Sequence, residues 1–94
     1  MGDSIMPELE SDRGSLFLIG SDGLMEKNEI SWLGEKVYAD SVLDAADDNV
    51  AQIHHDLEYP DHFILWVYDP RDKRTHEYHV TVEMEPSFYL KSMP

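Results

Sequence analysis

The chain has 94 residues, enough for one domain with one modest core. Asp and Glu number 20 against 7 Lys and Arg, and the formal charge of −13 opposes direct contact with nucleic acid or an anionic membrane surface. Cysteine is absent, which excludes disulfides, thiolate metal sites and Cys nucleophiles.

Residues 1–14 are polar and read as a flexible leader, with residues 15–94 forming a single domain. Ser15–Ile19 is a short apolar run closed by Gly20. The Ser21-Asp22-Gly23 that follows signals a tight hairpin, so a return strand is expected near Leu24–Glu26. Glu29–Ala39 is rich in strand-forming residues and has Gly34 in its middle, which predicts a bulged strand or two short ones.

The clearest helix comes next. Asp40 or Ser41 is its N-cap, with Asp44 three residues after Ser41 in a variant capping box. Val42, Leu43, Ala46, Val50, Ile53 and Leu57 recur at helical spacing, and Pro60 requires the helix to stop before it. His62–Tyr68 is apolar on both faces, the pattern of a central strand. Asp69–Arg74 is a turn, and His76–Met84 alternates as its antiparallel partner. The tail, from Pro86 onward, carries Phe88-Tyr89-Leu90, which docks on the body or stays exposed. The order predicts an α+β domain in which one amphipathic helix packs on a four- to five-stranded antiparallel sheet. Ile64, Trp66 and Tyr68 lie on one side of the central strand and Phe63, Leu65 and Val67 on the other, so one set needs cover beyond that helix.

Charge is segregated along the chain. The 34 positions from Val37 to Pro70 hold eight acids and no Lys or Arg, while three of the seven cations cluster at Arg71, Lys73 and Arg74. On a helical projection Asp44, Asp47, Asp48 and Glu58 fall opposite the apolar stripe. Asp44 and Asp48 are a like-charge i, i+4 pair, which costs about 0.2–0.5 kcal/mol, and aspartate is a poor helix former. Acidic helix faces are commonly just solvated, and a salt-adapted protein spreads acids over its whole surface. A charge of −13 exceeds the magnitude of about 2–8 that solubility asks of a small domain. The sequence therefore points to an anionic stripe that receives a basic protein surface. Asp44, Asp47, Asp48, Glu58 and Asp61 would supply charge and Tyr59 an anchor that loses its water on binding.

In size and charge the chain resembles the small acidic inhibitors that phages and mobile elements direct against nucleases and other DNA-binding machinery. In the same sense it is similar to immunity proteins that neutralise a toxic nuclease. The resemblance implies a non-enzymatic DNA mimic whose partner is a basic nucleic-acid-binding protein, a nuclease or effector complex. The alternative is a structural or adaptor module that forms a homodimer or docks through the strand His62–Tyr68 or the tail Phe88-Tyr89-Leu90, by burying apolar area.

Other chemistry finds little support in the residues. The five histidines show no HExxH and no HxH on a strand; they read as surface residues, and no metal or cofactor is expected. No glycine-rich phosphate loop is present, and so short a chain is expected to offer little room for a catalytic cleft. No catalytic residue is assigned. No apolar run suits a membrane span or a signal peptide, so the expected location is cytoplasmic.

Overall fold

The computed structural model describes residues 14–83 and 87–93; the expected leader, apart from Gly14, and the end of the His76–Met84 strand lie outside them. Five strands form one sheet: β1 (Ser15–Ser21), β2 (Glu35–Ala39), β3 (His62–Asp69), β4 (Arg74–Val82) and β5 (Phe88–Met93), in the order β2-β1-β3-β4-β5. Every neighbouring pair is antiparallel. Among the described residues two α-helices complete the fold, the single turn α1 (Ile30–Leu33) and the longer α2 (Val42–Asp56). The fold is α+β, with α2 packed on the sheet.

β1 lies between β2 and β3, so α2 carries the chain over β1 from one neighbour to the other, a split β-α-β arrangement. This explains why the Asp22-Gly23 hairpin does not form. Both edges of β1 are occupied, Leu18 pairing with Lys36 on one side and Tyr68 on the other. The turn is made, with Leu24 N and Met25 N donating to Ser21 O at 3.0 and 3.1 Å, but the chain then enters a 3-10 turn at Lys27–Glu29 and no strand occupies Leu24–Glu26. The expected strand across Glu29–Ala39 is likewise half helix. Glu26 and Glu29 cap each other reciprocally, α1 follows, and Gly34 returns the chain to extended backbone for β2. A local cap outweighs strand propensity where neither edge of β1 is free to accept a strand.

α2 buries Ala45, Ala46, Val50 and Ile53 against Phe17, Ile19, Phe63, Leu65, Val67 and Val80. Two departures from the expected stripe occur. Leu43, in the first turn, stays 54% exposed, whereas His54, read from sequence as a surface histidine, is buried. The tail forms β5, and its Phe88 and Leu90 pack against the core.

The opposite face of the sheet gains its cover from the segment that displaced the expected hairpin. Ile30 is 1% exposed over Leu18 and Trp66, which are also buried. The approach is close: a Cβ on Gly20 would stand 2.7 Å from both Ile30 Cδ1 and Met25 Sδ. Glu77 ties the segment down. Its Oε1 accepts from Lys27 Nζ and Trp66 Nε1, each at 3.2 Å, and its Oε2 lies 3.0 Å from His79 Nε2. The His79 contact holds the Glu77 carboxyl below its ordinary value, Lys27 and Trp66 adding to the effect and burial opposing it.

Candidate functional site

Ser41 begins the acidic ridge. Its extended backbone and side chain form the N-cap of α2, with Asp44 N donating to Ser41 Oγ at 3.1 Å. Asp44 thus sits in the first turn, where the exposed backbone N–H groups favour a negative charge. Part of the local expense read from the sequence is therefore offset at Asp44, but not at Asp47 and Asp48, which lie a turn further in. All three side chains are exposed. Among the described residues none of the three is in an ion pair. Asp44 to Asp48 spans about 6 Å of axial rise, against about 3.4 Å between phosphates along one DNA strand, so the charge density is comparable.

Glu58 is not on this ridge. The helix ends at Asp56, and Glu58 and Tyr59 follow in left-handed backbone, with φ of 66° and 63°. Tyr59 N donates to His54 O at 2.9 Å and Glu58 N to His55 O at 3.0 Å, the paired bonds of a Schellman cap with glutamate where glycine is usual. The candidate site therefore divides. Asp44, Asp47 and Asp48 form one group on the first half of α2. Glu58, Tyr59 and Asp61 form another beyond its C-terminus, with Ala51, Gln52 and His55 between them. Glu58 and Asp61 are exposed and, among the described residues, form no ion pair. Asp56, also near this end, has close polar neighbours: Gln52 Nε2 donates to its Oδ1 at 3.0 Å, and His55 Nδ1 lies 3.8 Å from the same atom.

Tyr59 is 62% exposed and stands edge-on to the His54 and His55 rings, at centroid distances of 5.3 and 5.4 Å. His54 anchors this end of the helix: its Nε2 donates to Pro60 O at 3.0 Å and its ring stacks on Phe63 at 5.9 Å. A tyrosine in left-handed backbone, braced by two imidazoles yet largely open to solvent, was not legible from residue spacing. The one sequence signal for it was that Glu58-Tyr59 separates a helix from Pro60 with no glycine available.

Arg71, in the cation cluster, is engaged by Asp69 and Ser15. Arg71 Nε and Nη2 each donate to the buried Asp69 carboxylate at 3.1 Å, and Nη1 donates to Ser15 Oγ at 2.9 Å. Arg71 holds the Asp69 carboxyl below the usual carboxylate range, with burial opposing.

Contrary to the expectation of little room for a cleft, a notch of about 590 Å³ opens where β1 stops at Ser21 and leaves the start of β3 without a neighbour on that side. Asp22, Leu57, Pro60, His62, Ile64 and His79 are among its lining residues. Among the described residues no three His, Asp or Glu side chains are grouped to hold a metal ion. Compared with protein-family models, curated proteins and solved structures, the chain matches none. No helix among the described residues is long and apolar enough to cross a membrane.

Proposed function

We propose that the protein is a non-enzymatic cytoplasmic inhibitor that occupies the basic nucleic-acid-binding surface of a target protein, a nuclease or effector complex, with α2 standing in for a phosphate backbone. One observation carries this reading: Asp44, Asp47 and Asp48 are exposed together on one rigid helix, with no cation paired to them among the described residues. Tyr59 supplies the apolar anchor, its exposed ring held beside His55. Association is steered by opposite charge, so its rate falls as salt rises. The mechanism requires no cofactor, and the protein itself contacts neither nucleic acid nor membrane.

The test is competition. A basic target captured on the protein is expected to be released by duplex DNA, and the combined variant Asp44→Asn, Asp47→Asn, Asp48→Asn to bind it more weakly with a shallower dependence on salt. Simultaneous binding of DNA and the protein, or an unchanged affinity in the triple variant, overturns the reading.

A second reading, a homodimeric or docking module, is supported by β5, whose outer edge has no neighbouring strand among the described residues. Sedimentation separates the two: a dimer that persists in high salt favours pairing through the sheet.

A further inference from the structure

β3 lies in the middle of the sheet, yet its first residues have a neighbour on one side only. Val82 N donates to Asp61 O at 2.9 Å, so the Asp61 backbone faces β4. In an antiparallel ladder this direction alternates, so Phe63 and Leu65 face β4 as well. The backbone groups of His62 and Ile64 therefore point the other way, toward the line of β1. β1 stops short of them, its last partner being Leu65, opposite Ser21. Ser21 Oγ donates to Ile64 O at 2.6 Å and satisfies that one carbonyl. The Ile64 N–H and the His62 N–H and C=O have no strand partner among the described residues, and they open onto the notch of about 590 Å³.

The notch is shaped as well as open. Leu57 and Pro60 give it an apolar side, and Gly23 leaves Leu57 its place, since a Cβ there would stand 2.4 Å from Leu57 Cδ2. An N–H, a C=O and a second N–H at strand spacing match an extended peptide, whose own groups recur at that interval. Charge narrows the occupant further. Asp22 is the one carboxylate among the lining residues. Its Oδ1 lies 3.3 Å from Ser21 Oγ, which is itself bound to Ile64 O, so the carboxylate stands beside the open edge. Among the described residues no cation is paired with it. A segment bearing a basic side chain suits this edge and an acidic one is repelled.

We propose that the open end of β3 receives an extended basic segment of a partner protein. The segment continues the sheet where β1 stops, pairs with His62 and Ile64, and sets a lysine or arginine beside Asp22. This goes beyond the α2 reading and does not depend on it, because no group involved lies on the acidic ridge.

The experiment titrates the isotope-labelled full chain with the peptide acetyl-Thr-Val-Lys-Val-Thr-amide and follows backbone amide signals and their hydrogen exchange. The His62 and Ile64 amides are expected to shift and to exchange about tenfold more slowly at saturation. The same peptide N-methylated at every residue keeps its side chains, loses its donors and is expected not to bind. His62→Pro removes an N–H that no strand uses, at the first position of a strand, where proline is tolerated. It should weaken binding about fivefold, while His62→Ala, which keeps the N–H, should stay within about twofold of wild type. If His62→Pro does not fold, the N-methylated peptide decides. Replacing the peptide's lysine by glutamate should weaken binding, and Asp22→Asn should narrow that difference; a difference that Asp22→Asn leaves unchanged overturns the placing of the basic residue. Unmoved His62 and Ile64 amides, equal binding of the N-methylated peptide, or equal binding by a folded His62→Pro overturns the proposal. Protection of those amides that grows with the concentration of the protein alone assigns the edge to a second copy and overturns it too.

Discussion

Glu58 and Tyr59 adopt left-handed backbone without being glycine, at an expense of about 1–2 kcal/mol per residue. Glu58→Gly relieves that strain at one of the two, against a gain in unfolded-chain entropy. It should therefore stabilise the fold by about 0.5–1 kcal/mol, read as a higher urea midpoint with an unchanged slope. Asp69 is the opposite case, a buried carboxylate satisfied by Arg71. Its folded pKa lies below its unfolded value. The unfolded chain therefore takes up the proton first as pH falls, and the Asp69 contribution is complete above the ordinary Asp value of about 4 and is lost as pH drops through the lower folded value. Asp69→Asn should cost about 1–3 kcal/mol at neutral pH, and the gap to wild type should narrow below about pH 4 in thermal melts.

At the scale of the element, α2 combines a buried stripe that sequence spacing makes visible with an acidic ridge whose folding expense is small. Replacing Asp44, Asp47 and Asp48 by Asn removes a favourable first-turn charge worth about 0.3–1 kcal/mol and a repulsion of about 0.2–0.5 kcal/mol, terms of opposite sign. The chemical denaturation midpoint should therefore move little, so a loss of partner binding in this variant reports the surface and not the fold. Ser41→Ala is the contrasting change. It removes the acceptor for Asp44 N and should destabilise by about 1 kcal/mol, measured the same way.

Across the whole molecule, the charge of −13 acts on a small core. Added salt screens repulsion among carboxylates, so the melting temperature should rise between low and moderate ionic strength; a fall would mean that the Arg71–Asp69 and Lys27–Glu77 pairs dominate instead. Leu65 is fully buried between α2 and the sheet, and Leu65→Ala should cost about 2–5 kcal/mol, a large share of the roughly 5–15 kcal/mol that such a domain has in total.

Periodicity alone determined α2, the β3–β4 hairpin and the α+β class, because 3.6-residue and two-residue repeats state directly which side of an element meets the core. Composition determined the cation-free stretch from Val37 to Pro70 and hence the acidity of the α2 surface. Only the tertiary structure decided the rest. The Asp22-Gly23 turn leads into α1 because β2 and β3 already hold both edges of β1, a competition between distant segments that no local pattern records. Glu58 leaves the ridge because the helix closes in a Schellman cap, which fixes backbone direction beyond the last periodic residue. His54 is buried because Phe63 and Phe88 converge on it from two strands. Local repeats encode which face is wet, but which segments meet is set by the occupancy of sheet edges and the packing of remote side chains.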